Sequence, residues 1–210
     1  MALEKELKFV KADLDAARGR LREIGAVRRS HVFEHNVVFD TPDRQLKQQQ
    51  TLLRLRQADK VTLTLKRPPE EELPEQEVPV MVKVFEEMET EVKNFTTMRR
   101  MLLSLGYYEA FAYEKVRETW TLEGASICLD TLVFGDFIEI EAEPARIHEV
   151  AIQLGLSPEQ ASTATYHQLN QEYLLDQGLP SNESFTFLKE ERLRLQAEIA
   201  MADHADHGGP

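Results

Sequence analysis

Charges of one sign recur at alternate positions along this chain, and no other feature limits its fold as much. Glu4-x-Glu6-x-Lys8 opens the sequence. Arg54-Leu55-Arg56, Glu89-Thr90-Glu91, Lys115-Val116-Arg117 and Glu139-Ile140-Glu141 follow, with Thr62, Thr64 and Lys66 in step on another segment. A spacing of two puts each pair on one face of a β-strand and the intervening Leu55, Leu63, Leu65, Val116 and Ile140 on the other. With 30% of residues charged, one such pair carries no weight. Salt-bridge ladders between neighbouring strands, worth about 0.2–1 kcal/mol each, are the plainer account, but solvation alone has no reason to sort successive strands by sign. A sheet curved into a barrel does, if the charged faces point inward and the apolar faces pack outward against helices.

Such a lumen holds the acids Glu4, Glu6, Glu89, Glu91, Asp130, Glu139 and Glu141 and the bases Lys8, Arg54, Arg56, Lys66, Lys115 and Arg117. Carboxylate oxygens suit hard Mg²⁺ or Mn²⁺, while guanidinium forks and ammonium groups suit phosphate oxygens. The ligand this chemistry calls for is a triphosphate with its divalent metals. The formal net charge of −12 argues against a nucleic-acid surface, which needs many exposed cations on one face. No apolar stretch approaches the ~20 residues of a membrane span, and the first residues are charged where a secretory signal has an apolar core. The single Cys128 leaves no intramolecular disulfide and no multi-cysteine metal site. The expectation is a soluble cytoplasmic protein with no nucleic-acid or membrane partner; a homodimer is the default oligomer.

Along the chain, Asp13 caps a helix that Gly25 stops. SHVFEHNVVFD alternates as a strand, DRQLKQQQ forms a short helical turn, and TLLRLRQ with VTLTLKR forms a hairpin. Residues 68–79, rich in proline and glutamate, read as a mobile acidic loop. FEEMETEV is a strand, Asn94 caps a helix ending at Gly106, and FAYEKVRETWTL, SICLDTLVF and FIEIEAE form a meander. Residues 145–154 and 157–175 are expected to be helices, the second opening with the capping box Ser157-Pro158-Glu159-Gln160. Residues 1–177 are read as one domain, and 178–210 as a charged helical extension whose His-containing end, with His204 and His207, is disordered.

The set Glu4-x-Glu6-x-Lys8, Leu53-Arg54-Leu55-Arg56, Thr64-Leu65-Lys66, Lys115-x-Arg117, Asp130 and Glu139-x-Glu141, in that order, resembles the CYTH superfamily of triphosphate tunnel metalloenzymes over roughly residues 1–177. The resemblance implies an α+β fold, an eight-stranded antiparallel β-barrel with a charged lumen and helices outside. It also implies divalent-metal dependence and action on a triphosphate, since members include class IV adenylate cyclases, thiamine triphosphatases and inorganic triphosphatases. Carried over by position, it makes Glu4, Glu6, Glu139 and Glu141 metal ligands, with Asp130 joining directly or through water. Lys8, Arg54, Arg56, Lys66, Lys115 and Arg117 grip phosphate, and Glu89 and Glu91 hold a second metal or orient a nucleophile. Thr165-Tyr166 stands where the family often has a Ser-Tyr pair. Lys189 is read as an exposed helical lysine.

Hydrolysis of tripolyphosphate or thiamine triphosphate is the expected reaction, because water as nucleophile needs no base-recognition pocket and no adenine-reading constellation is evident. Cyclisation of ATP to cyclic AMP and pyrophosphate is the alternative, favoured by the likeness of FDTPDRQL and LLRLR to chains grouped with class IV cyclases. A catalytically silent polyphosphate or nucleotide binder is the third reading. An organic group at the tunnel mouth would meet Phe33, His35 or Tyr113.

Overall fold

The computed structural model of the protein describes residues 2–70 and 82–207, with side chains over 3–70 and 82–202. The strands are β1 (Ala2–Val10), β2 (Val27–Asp40), β3 (Leu52–Gln57), β4 (Val61–Arg67), β5 (Lys83–Glu91), β6 (Tyr108–Leu122), β7 (Ala125–Leu132) and β8 (Gly135–Glu141). All pair antiparallel, in the order β5-β4-β3-β2-β6-β7-β8-β1, and β1 also pairs with β5. Residues 2–6 of β1 pair with β5 while residues 6–10 pair with β8, so one strand closes the ring and leaves the eight-stranded sheet without a free edge. A two-residue strand, β9 (Ala161–Ser162), adds to Lys8 and Phe9 outside that ring.

Register decides which side chains share the inner face. Glu6 stands opposite Glu141 and Lys8 opposite Glu139. Arg117 faces Asp130, and Glu34 faces Lys115. Arg54 faces Thr64, and Lys66 faces Glu87. The sign-sorted pairs therefore point into the ring. The β6–β7 hairpin turns on Glu123-Gly124, both at positive φ (43° and 83°), the primed geometry that fits the twist of antiparallel strands.

The outer face is apolar and covered. Helices α1 (Leu14–Glu23) and α4 (Pro144–Gln153) bury Leu7, Phe9, Trp120, Ile127, Leu129, Ile138 and Ile140 with their own Leu14, Leu21, Ile147 and Val150. A short α2 (Gln45–Gln48) follows β2, its first amides held by Asp40, whose carboxylate accepts from Leu46 N at 2.9 Å and Lys47 N at 3.1 Å. Helix α3 (Phe95–Ser104) covers Val37, Phe39, Leu53 and Leu55 through Leu102 and Met98. Each fully buried side chain of this kind contributes about 1.5–3 kcal/mol. Both expected caps are made: Asp13 Oδ1 accepts from Ala16 N at 2.9 Å, and Asn94 Oδ1 from Thr97 N at 2.8 Å.

One expected helix is broken. Residues 157–175 form a single 3₁₀ turn (Pro158–Gln160), then β9, then α5 (Tyr166–Asp176). The Ser157 capping box supports one turn only, because the next residues gain more by pairing with β1; Thr165 then starts α5 with its own capping box to Gln168.

Two elements beyond the ring fill one end of it. The inner-face residues Val38, Leu132 and Phe137, with Val10, Leu52 and Phe111 beside them, pack against Tyr113, Phe134, Tyr166, Leu169 and Phe185. Residues after Pro180 return to β6 before α6 (Lys189–His207) begins. Phe185 N donates to Ala112 O and Phe185 O accepts from Glu114 N, both at 3.1 Å. The backbone is helical through His207, where the sequence suggested an irregular end; the terminal residues 208–210, the side chains of His204 and His207, and residues 71–79 of the expected acidic loop lie outside the described residues.

Candidate active site

The bases sit inside the ring, each held by a carboxylate. Lys8 pairs with Glu139, and its ammonium lies 4.2 Å from the centre of the Tyr166 ring. Lys66 bridges Glu4 and Glu87, the latter at 2.6 Å. Arg56 donates to both oxygens of Glu89 at 3.1 Å, to Glu34 at 3.4 Å and to Thr62 at 3.2 Å. Arg54 donates to Thr64 and to the Tyr113 hydroxyl, both at 3.2 Å, and lies 3.7 Å from Glu89. Arg117 reaches both Asp130 and Glu139. Lys115 reaches Asp130 at 3.1 Å and Glu34 at 3.8 Å.

The acids divide into two kinds. Asp130 is fully buried and accepts from Lys115, from Arg117 Nε at 2.7 Å and from Tyr166 Oη at 2.6 Å. With Arg117 Nη2 donating as well, four donor atoms on three residues leave it little capacity to ligate a metal, so its geometry is that of an anchor for two cations. Glu6 and Glu141 instead face each other across the β1–β8 pair, and neither makes an ion pair among the described residues. Burial pushes the Glu4 carboxyl up to about 7, opposed by Lys66 and reinforced by Glu6. Burial also raises Glu141, with Glu87 and Glu6 adding repulsion. Glu139 is held well below the usual carboxylate range: burial opposes its charge, but Lys8, Arg117 and Lys115 outweigh it.

No three acidic, histidine or cysteine side chains among the described residues are drawn together as a preformed metal centre. The donor set nonetheless fits a hard cation. Glu4, Glu6 and Glu141 are oxygen donors whose mutual repulsion a divalent ion would relieve, and Glu139 stands next to Glu141 on the same face of β8.

Several inner-face residues escaped the sequence reading. Glu34 is buried between Arg56 and Lys115. Glu87 shares Lys66 with Glu4. Lys83 stands opposite Glu6, its ammonium lowered by burial and by Lys8 and Lys66, with Glu6 and Glu139 opposing. Period-two counting outward from the recognised pairs would have found Glu87. Glu91 is the exception in the other direction: 60% exposed and paired with Lys60, it belongs to the rim of β5. Phe33 and His35 lie on the outer face of β2, against Phe187 and Phe95, and Tyr113 is buried in the apolar end. None of the three is at an open mouth. Lys189 is exposed at the start of α6.

A family profile described as the CYTH domain matches residues 2–166. Among solved structures, a candidate adenylate cyclase from Vibrio parahaemolyticus is 22% identical with a TM-score of 0.67, covering 80% of this chain and 97% of that one. A conserved hypothetical protein from Pyrococcus furiosus is 27% identical with a TM-score of 0.62, covering 78% and 97%. A candidate adenylyl cyclase from Hippeastrum, described as revealing a dominant triphosphatase activity, is 20% identical with a TM-score of 0.54, covering 87% and 99%. None of the curated proteins compared with the chain matches it.

Proposed function

The chain belongs to the CYTH domain family, and from that premise we propose that it is a divalent-metal-dependent triphosphatase acting on tripolyphosphate or a small organic triphosphate such as thiamine triphosphate. The observation that carries this reading is the lining of the ring: Lys8, Arg54, Arg56, Lys66, Lys115 and Arg117 converge on one enclosed face beside the carboxylates of β1 and β8. The six cations would take up phosphate oxygens in place of part of their present carboxylate contacts. Asp130 and Tyr166 keep Lys115 and Arg117 aimed while that exchange occurs. Glu4, Glu6, Glu139 and Glu141 would hold Mg²⁺ or Mn²⁺, which supplies charge neutralisation at the phosphoryl oxygens and a more acidic water.

Hydrolysis is favoured over cyclisation by what surrounds the cations. Phe33 and His35 are packed on the outer face and Tyr113 is sealed in the apolar end, where none of them is free to hold a nucleoside, whereas water needs no such pocket. The Hippeastrum protein shows that a fold of this kind is compatible with triphosphatase activity. The test is incubation of the purified protein with Mg²⁺ or Mn²⁺ and, separately, tripolyphosphate, thiamine triphosphate and ATP, with products resolved by chromatography. Orthophosphate from either of the first two supports hydrolysis. Cyclic AMP with pyrophosphate replaces it with the cyclase reading, and binding without product reduces the protein to a triphosphate binder.

A further inference from the structure

The segment after the family match lies against the site, not apart from it. β7 pairs with β6 only from Val116 onward, and the tail occupies the place beside β6 that β7 leaves. Phe185 bridges to Tyr113 in parallel register, and Ser184 Oγ accepts from Ala112 N at 3.1 Å. The Phe185 side chain is 3% exposed; its ring stacks on Tyr113 at 5.1 Å and 24° and meets Phe134 edge-on at 5.5 Å. On the opposite face of β6, the buried Glu114 accepts from Phe187 N and from Arg192 Nε, both at 3.1 Å. The tail is therefore pinned through both faces of the strand that carries Tyr113, Lys115 and Arg117.

Tyr113 links this anchor to the phosphate-binding face. Its ring lies in the apolar end and its hydroxyl accepts from Arg54 Nη1. Elsewhere on Arg54, Nη2 donates to Thr64 and lies 3.7 Å from Glu89, and Nε is buried with no hydrogen-bond partner among the described residues. A guanidinium fork grips a phosphate only when its plane is aimed, and here the Tyr113 hydroxyl fixes one corner of it. We infer that Phe185 is a positioning residue for triphosphate binding, acting through the Tyr113 hydroxyl on Arg54. The inference rests on the proposed role of Arg54 as a phosphate ligand.

The measurement is titration calorimetry of metal-free protein with tripolyphosphate, with a thermal melt of each variant. Arg54→Ala is the reference and is expected to weaken binding strongly; an unchanged affinity would overturn the phosphate-binding role itself and the inference with it. Given that loss, Tyr113→Phe, which removes only the hydroxyl, is expected to weaken binding about tenfold or more, as for one hydrogen bond to a charged group. Phe185→Ala is expected to weaken it similarly, and the double variant no further, because both act on one contact. Phe185→Leu refills the space and is expected to recover most of the affinity; should Phe185→Ala fail to fold, Phe185→Trp takes its place in the cycle. A Phe185 variant that melts earlier but binds as tightly as the parent, or losses that multiply in the double variant, would show a purely structural role.

Discussion

On the inner face of β2, Glu34 stands between Arg56 and Lys115 with Asn36 beside it. Burial works against its charge, but Lys115, Arg117, Arg56 and Arg54 together hold its carboxyl down at about 2. A depressed carboxyl stabilises the fold above its unfolded value and loses that contribution as pH falls through the folded one. Between 4.5 and about 2 this amounts to on the order of 3 kcal/mol. Denaturant melts from pH 6 to pH 2 should therefore show a steeper acid loss for the parent than for Glu34→Gln; parallel profiles would remove Glu34 from the balance. Glu139 and Arg56 separate by role. Glu139→Gln should abolish turnover while leaving metal-free tripolyphosphate binding nearly intact, and Arg56→Ala should weaken binding itself, both read from the same titrations and assays. Equal loss of both properties in both variants counts against the assignment. The paired charges were legible because each pair shares one strand face and one sign. Glu34 was not, having no like-signed neighbour two residues away, and the Glu86-Glu87 doublet blurred the register that puts Glu87 inside.

At the scale of elements, local signals served where local forces decide. The caps Asp13 and Asn94 and the stop at Gly25 are where the sequence puts them, because each is a short-range bond or a left-handed backbone position. Asn94→Ala should cost about 1 kcal/mol in urea unfolding without altering triphosphate turnover, since α3 covers the outer face; a matching fall in turnover would tie α3 to the site. Residues 157–175 read as one helix because their capping box and composition say so. What splits them is a partner far earlier in the chain, β1, whose Lys8 and Phe9 take up Ser162 and Ala161. The same limit hid the tail: Phe185 and Phe187 alternate in ESFTF, but two residues are too short a pattern to announce that Phe185 belongs against Tyr113.

For the whole molecule, the decisive step is closure. β1 joins β5 and β8 by two different stretches of the same strand, turning a meander with a charged face into an enclosed, charge-lined interior within an acidic protein. Sorting by sign pointed to that interior; ring order, the apolar end and the contribution of residues beyond 178 depend on contacts between distant segments and needed coordinates. Hydrolysis requires that water attack a triphosphate held there. Mass spectrometry of orthophosphate released from tripolyphosphate in ¹⁸O-enriched water with Mg²⁺ or Mn²⁺ tests it most directly. One labelled oxygen per hydrolytic event, lost on chelation of the metal and in Glu139→Gln, is the predicted result. Absence of labelled orthophosphate, with ATP yielding cyclic AMP and unlabelled pyrophosphate under the same conditions, would contradict it.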